Sequence, residues 1–256
     1  MKRIPRILCI GGQDPTGGAG IQADIESVTA LGCRALTLVT ALTAQDTHDI
    51  VALQPTPVRF FVSQMDTLLR DIRPDAIKIG LIGSSELVPS LRRLLQDFNG
   101  PVVLDPVLAA GGGFDLDSAD LGGEIRSHLL PLCTLVTPNR AEARSLTRCS
   151  DMELAASAML DAGTDAVLIT AADEAEGEWV NNRLFTAGDP VQTFDWPRLP
   201  HPYHGSGCTL ASACAARLAL GDGLASAVAE AQEFTWQALK LAHQVGGGQW
   251  LPWRDS

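Results

Sequence analysis

A rhythm that runs the length of the chain constrains its fold most. Short apolar runs rich in β-branched residues alternate with longer stretches whose apolar positions recur three and four apart. Strands are expected at Ile7–Ile10, Ala35–Val39, Ala76–Ile79, Val102–Leu104, Thr134–Val136 and Ala166–Ile169. Helices are expected between them at Ile21–Leu31, Val58–Asp71, Ser85–Phe98, Ala119–Leu130, Ala141–Leu146 and Met152–Asp161. Parallel strands need long crossovers, so continuous apolar strands alternating with helices predict a mostly parallel sheet with helices on both faces. Two segments break the rhythm. Glu178–Leu184 and Val191–Trp196 flank Thr186-Ala187-Gly188-Asp189-Pro190 and predict a hairpin at a sheet edge. A proline-interrupted loop, Leu199–Tyr203, then leads to two long helices, Gly207–Leu220 and Leu224–Gln244. No repeat or linker divides residues 1–256, so one α/β domain is expected.

Composition narrows the partners. With 46% hydrophobic and 19% charged residues, disorder and coiled coil are excluded. Thirty acidic against nineteen basic side chains give a net charge of −11, which argues against nucleic acid and membrane surfaces. A small phosphate ligand remains compatible, because backbone dipoles and a divalent cation act locally. No apolar run reaches transmembrane length and no cleavage site follows the basic start, so a soluble cytoplasmic protein is expected. The scattered Cys9, Cys33, Cys133, Cys149, Cys208 and Cys214 form no C-x-x-C pair and are expected to be reduced thiols. His48, His128, His201 and His243 show no ligand spacing, and Trp236, Trp250 and Trp253 are expected to pack in the core and terminus.

Ligands of open α/β sheets sit beyond the carboxyl ends of the strands, so the loops there carry the candidate chemistry. Gly11-Gly12-Gln13-Asp14-Pro15-Thr16-Gly17-Gly18-Ala19-Gly20 joins the first strand to the first helix. It is neither G-x-G-x-x-G nor a P-loop, and reads either as a flexible turn or as a close backbone approach to a ligand. His204-Gly205-Ser206-Gly207-Cys208-Thr209 opens a long helix, where small residues leave amides free to converge on an anion. The same dipole would lower a thiol pKa, so Cys208 reads as a base or nucleophile, against the alternative of inert packing. Asp105 ends an apolar strand and is followed by Pro106, Val107 and Gly111-Gly112-Gly113. In Thr137-Pro138-Asn139-Arg140-Ala141-Glu142, Asn139 and Glu142 are spaced as a helix cap and its box partner. Alternatively, Asp105 and Glu142 hold magnesium directly or through water.

Together with Ile21-Gln22-Ala23-Asp24, Thr40-Ala41-Leu42-Thr43-Ala44-Gln45-Asp46-Thr47 and Lys78-Ile79-Gly80-Leu81, these segments resemble the hydroxymethylpyrimidine/phosphomethylpyrimidine kinase family of thiamine biosynthesis, within the ribokinase-like superfamily. The resemblance implies a three-layer α/β/α ribokinase-like fold and a homodimer. It implies phosphorylation of 4-amino-5-hydroxymethyl-2-methylpyrimidine, and then of its monophosphate, with ATP and Mg2+. By that resemblance Gln45 would bond the pyrimidine edge, and Asp14, Ala19, Thr43, Leu81 and Val107 would line its pocket. Cys208 would stand where most ribokinase relatives keep an aspartate base, and Gly205, Ser206 and Gly207 would form the anion hole. Asp105 and Glu142 would serve magnesium, and Asn139 the ATP phosphates. Relatives carry a lysine, two glycines and a histidine after the strand Ala166–Ile169. Here stand Thr170-Ala171-Ala172-Asp173, which removes a cation and leaves Thr170 to bond phosphate. Leu81 replaces a common methionine. A pyridoxal kinase-like enzyme of vitamin B6 salvage and a non-catalytic pyrimidine-binding regulator are the competing readings.

Overall fold

The computed structural model describes residues 3–108, 121–172 and 177–255. Its strands are β1 (Arg6–Gln13), β2 (Arg34–Gln45), β3 (Ile50–Pro55), β4 (Ala76–Ile79), β5 (Val102–Leu104), β6 (Leu135–Val136), β7 (Ala166–Ile169), β8 (Trp179–Thr186) and β9 (Gln192–Pro197). They form one sheet in the order β3-β2-β1-β4-β5-β6-β7-β8-β9. The run from β2 to β7 is parallel. β3 pairs antiparallel with β2, while β8 and β9 form the expected hairpin on β7. The α/β class and the mostly parallel sheet with its edge hairpin are therefore as the sequence pattern predicts.

Successive side chains of a strand point to opposite faces, and the core divides accordingly. Leu8 and Ile10 of β1, with Ile77 and Ile79 of β4, meet α2 (Val58–Asp71), α3 (Val88–Gln96), α4 (Leu121–His128), α5 (Arg140–Thr147) and α6 (Met152–Asp161). Ile7 and Cys9, with Ala76 and Val103, meet α1 (Gly20–Ala30), α7 (Ser206–Leu220) and α8 (Leu224–Lys240). Alanines 211, 213, 215 and 216 are fully buried, which lets α7 lie close on the sheet. These faces make the three layers.

Several boundaries differ from expectation. The sequence rhythm gives no strand at Ile50–Pro55, and it ends β2 at Val39, whereas β2 runs on to Gln45 with β3 beside it. Residues 85–98 do not form one helix: Ser84 caps a 3-10 turn over Ser85–Leu87, and α3 restarts with Pro89 in its first turn, a position that needs no amide donor. The last helix ends at Lys240 rather than at Gln244. Gly111-Gly112-Gly113, the start of the expected helix at 119–130, and Asp173 lie outside the described residues.

After α8 the chain returns across the carboxyl ends of the strands. The Gln249 amide donates to the Thr47 carbonyl at 2.8 Å, the Trp250 amide to the Pro202 carbonyl at 2.9 Å, and the His204 amide to the Trp250 carbonyl at 3.0 Å. Arg254, 3% exposed, donates to Thr209 Oγ1, to Glu26 and to the Gly18 carbonyl. This segment thus holds three loops that the sheet alone would leave independent.

Candidate active site

At these strand ends lies a cleft of about 680 Å3. Every candidate from the sequence lines it: Asp14, Ala19, Thr43, Gln45, Leu81, Asp105, Val107, Asn139, Glu142, Thr170 and Gly205 to Cys208. Their local geometry separates what each can do.

Asp14 faces inward. Its carboxylate accepts the amides of Thr16 and Ala19, both at 2.8 Å, the Thr16 hydroxyl, and His204 Nε2 at 2.9 Å. Burial opposes its ionisation, but the bonds from His204 and Thr16 prevail and hold its pKa down at about 2. Asp14 therefore organises the first glycine loop and ties it to the loop before α7. His204 is the functional neighbour that sequence reasoning left without a role; its Nε2 also lies 3.3 Å from Gln45 Nε2. The Thr43 hydroxyl is bound to the Gln13 carbonyl at 2.9 Å, so Thr43 shapes the wall.

The start of α7 is built for an anion. Its N-cap is Gly205, at φ 75°, and no side chain caps the helix, which leaves its first-turn amides directed at the cleft. Glycine is required at 205, because a Cβ there would run into the Gly18 carbonyl. A Cβ on Gly207 would touch both Asp105 oxygens at 3.5 Å, so the helix start passes directly over that carboxylate.

Cys208 corrects the expectation from the helix dipole. Its thiol pKa is raised to about 12, because burial disfavours the thiolate and Asp105 and Asp24 oppose it, outweighing Lys78 and the Gly20 amide. The residue as a whole is only half-buried, but its sulfur lies between the Asp105 carboxylate, which accepts its hydrogen bond, and the Gly20 amide. Asp105 is itself raised to about 6 by burial and by Asp24, despite Lys78 and Cys208. Beneath it, Lys78 on β4 is fully buried and donates to Asp24 Oδ1 at 2.7 Å, and Ser212, one turn after Cys208, donates to the same oxygen at 2.7 Å. A charged layer thus underlies the helix start.

Asn139 and Glu142 form the capping box, with Glu142 N donating to Asn139 Oδ1 at 2.8 Å and Asn139 N to Glu142 Oε2 at 2.9 Å. Both line the cleft while capping α5, so the two readings of this pair are compatible. Among the described residues no three His, Cys, Asp or Glu side chains group as a metal site. Asp105 and Glu142 are two carboxylates that line the same cleft. That donor set suits magnesium, which binds through few carboxylates with water and phosphate.

Beyond Thr170 the cleft turns aromatic. Trp236 and Trp196 line it with ring centroids 6.2 Å apart, so Trp236 is not core packing. Gln232 accepts from Asn182 at 2.9 Å and from Trp196 Nε1 at 3.2 Å, and Asn182 in turn accepts the Ala171 amide at 3.1 Å. His201, stacked on Trp250 at 3.8 Å, and Tyr203 line the rim, so His201 and Trp250 also belong to the cleft's surroundings. Periodicity gave no signal for these residues, because a helix face turned to a cleft and one turned to the core have the same apolar spacing.

The family model described as phosphomethylpyrimidine kinase matches residues 14–252, nearly the whole chain. The chain belongs to the phosphomethylpyrimidine kinase family. Within it, the hydroxymethylpyrimidine/phosphomethylpyrimidine kinase of Streptomyces coelicolor is 36% identical over 95% of this chain and 92% of its own length. The thiamine biosynthesis bifunctional protein ThiED of Geobacter sulfurreducens is also 36% identical, and the chain spans half its length. Among solved structures, the pyridoxal kinase of Staphylococcus aureus in complex with AMP-PCP and pyridoxal superposes with a TM-score of 0.89 at 27% identity, covering 98% of this chain and 93% of that one. The ribokinase-like fold is therefore shared with a neighbouring family of vitamin kinases.

Proposed function

We propose that this protein transfers the γ-phosphoryl group of ATP to the hydroxymethyl oxygen of 4-amino-5-hydroxymethyl-2-methylpyrimidine, and then a second one to the monophosphate, in thiamine biosynthesis. The observation that carries the reading is the meeting, in one cleft, of Gln45, the uncapped start of α7, and the Cys208 thiol bonded to Asp105. It agrees with the family to which the chain belongs.

In the first transfer the alcohol oxygen forms a bond to phosphorus as the bond to ADP breaks. The protein's part is positioning and charge stabilisation. The amides of Ser206, Gly207 and Cys208 receive the phosphoryl oxygens, while Asn139 and Thr170 hold the nucleotide phosphates. Cys208 takes the alcohol proton as its own proton passes to Asp105. A thiol with a raised pKa suffices there, because the alcohol becomes strongly acidic as its oxygen bonds to phosphorus. Magnesium, served by Glu142 and, through water, by Asp105, would neutralise phosphate charge when bound. We take residues 1–256 to act as one domain, in a cytoplasmic homodimer, on the strength of the family resemblance.

The test is product formation with ATP and magnesium, alongside Cys208→Ala. We expect pyrimidine monophosphate and then diphosphate, with kcat reduced roughly 10²- to 10⁴-fold in the variant at unchanged pyrimidine affinity, and partial recovery in Cys208→Asp. Near-normal kcat in Cys208→Ala would remove the thiol from the mechanism. Efficient turnover of pyridoxal with no pyrimidine product would transfer the protein to the neighbouring activity.

A further inference from the structure

Nucleotide triphosphate carries several negative charges, and this chain is itself strongly acidic. Among the described residues lining the cleft, Arg198 is the one lysine or arginine. The segments 109–120 and 173–176 contain neither residue type. Arg198 follows β9 directly, and its backbone is anchored where its amide donates to the Glu178 carbonyl at 2.8 Å. Its side chain crosses to the loop after β7: Nε donates to the Gly177 carbonyl at 3.0 Å and Nη1 to the Ala172 carbonyl at 3.3 Å. Nη2 is buried and has no hydrogen-bond partner among the described residues. Ala172 is two residues from Thr170, which bridges to Asn139 in a parallel pairing. The guanidinium is therefore fixed by two carbonyls of the chain that follows Thr170, in the cleft that Thr170 and Asn139 also line, with donors to spare.

We propose that Arg198 is a phosphate-binding residue for the nucleotide, its free Nη2 donating to the polyphosphate and supplying the cation that the Thr170-Ala171-Ala172 segment lacks. The proposal rests on the cleft being the kinase site. It adds a residue from a different strand end. An arginine suits the position, because two of its donors brace the loop while the planar fork leaves a third unpaired.

The test is calorimetric binding of ATP, ADP and adenosine to wild type, Arg198→Gln and Arg198→Lys, with turnover measured in parallel. We expect roughly ten- to hundred-fold weaker ATP and ADP binding in Arg198→Gln, the range for losing a charge-assisted bond. Adenosine affinity should hold, and Arg198→Lys should recover part of the loss. Equal weakening of adenosine and ATP would mean that Arg198 only shapes the loop, and unchanged ATP affinity would remove it from the site; either overturns the proposal. A wild-type protein that binds no ATP would instead overturn the kinase reading.

Discussion

Asp14, ionised far into acid, can only accept hydrogen bonds, so His204 Nε2 must donate to it. Gln45 Nε2 lies 3.3 Å from that same nitrogen, so the Gln45 amide is seated against His204 on the cleft wall. A carboxamide both donates and accepts, as does an aminopyrimidine edge with its ring nitrogen and amino group. Gln45→Ala should weaken pyrimidine binding by about 1–3 kcal/mol with little change in kcat, read as Kd against turnover. Asp14 also predicts an acid response. Its folded pKa lies below the unfolded value of 3.8, so its stabilisation is complete above about pH 4 and is lost as the pH falls towards 2. Denaturant midpoints at pH 6 and pH 2.5 should differ less in Asp14→Asn than in wild type, by an amount equivalent to about 2 kcal/mol. The location of these residues was legible in the sequence because glycine-rich segments marked the strand ends. The thiol of Cys208 was misread in sign, since a helix start shows in sequence whereas the carboxylates of Asp105 and Asp24 beside it do not. Arg198 had no signal, being a lone charge in a proline-rich loop.

At the scale of elements, the two glycine loops are packed against each other, and their backbone contact sets the position of α7. Gly205→Ala places a Cβ against the Gly18 carbonyl at a φ of 75°. The left-handed backbone alone costs about 1–2 kcal/mol, and the contact must also be relieved by moving the helix start. Turnover should collapse in this variant while far-ultraviolet circular dichroism stays near wild type; preserved turnover would show that the loops move independently. The long elements were the readable ones: α2, α6, β4, β5 and β7 have the bounds that periodicity predicts. β3 was not, for a physical reason. It is an edge strand whose Val51, Ala52 and Gln54 are exposed, so its residues carry no core alternation, and it exists by pairing with the end of β2.

Over the whole molecule, the segment after α8 ties together Thr47, Pro202 to His204, and Gly18. Deleting residues 243–256 should leave the sheet and its helices folded, with cooperative unfolding, but abolish detectable binding of both substrates. A truncated protein that keeps pyrimidine affinity would show that the sheet positions the loops unaided. Such long-range ties are invisible to periodicity, which reports only what each stretch buries against its own neighbours.

The chain of contacts from Gln45 through His204 to Asp14 has a thermodynamic consequence. The residue expected to read the pyrimidine and the loop that leads into the anion-binding turn share one imidazole, so ordering either end restricts the other. Occupancy at the two subsites is then linked, and linkage is symmetric: whatever factor a non-hydrolysable nucleotide adds to the affinity for the pyrimidine, the pyrimidine must return to the nucleotide. A site wired in this way favours the ternary complex over either binary one, and holds fewer enzyme molecules with ATP beside water alone.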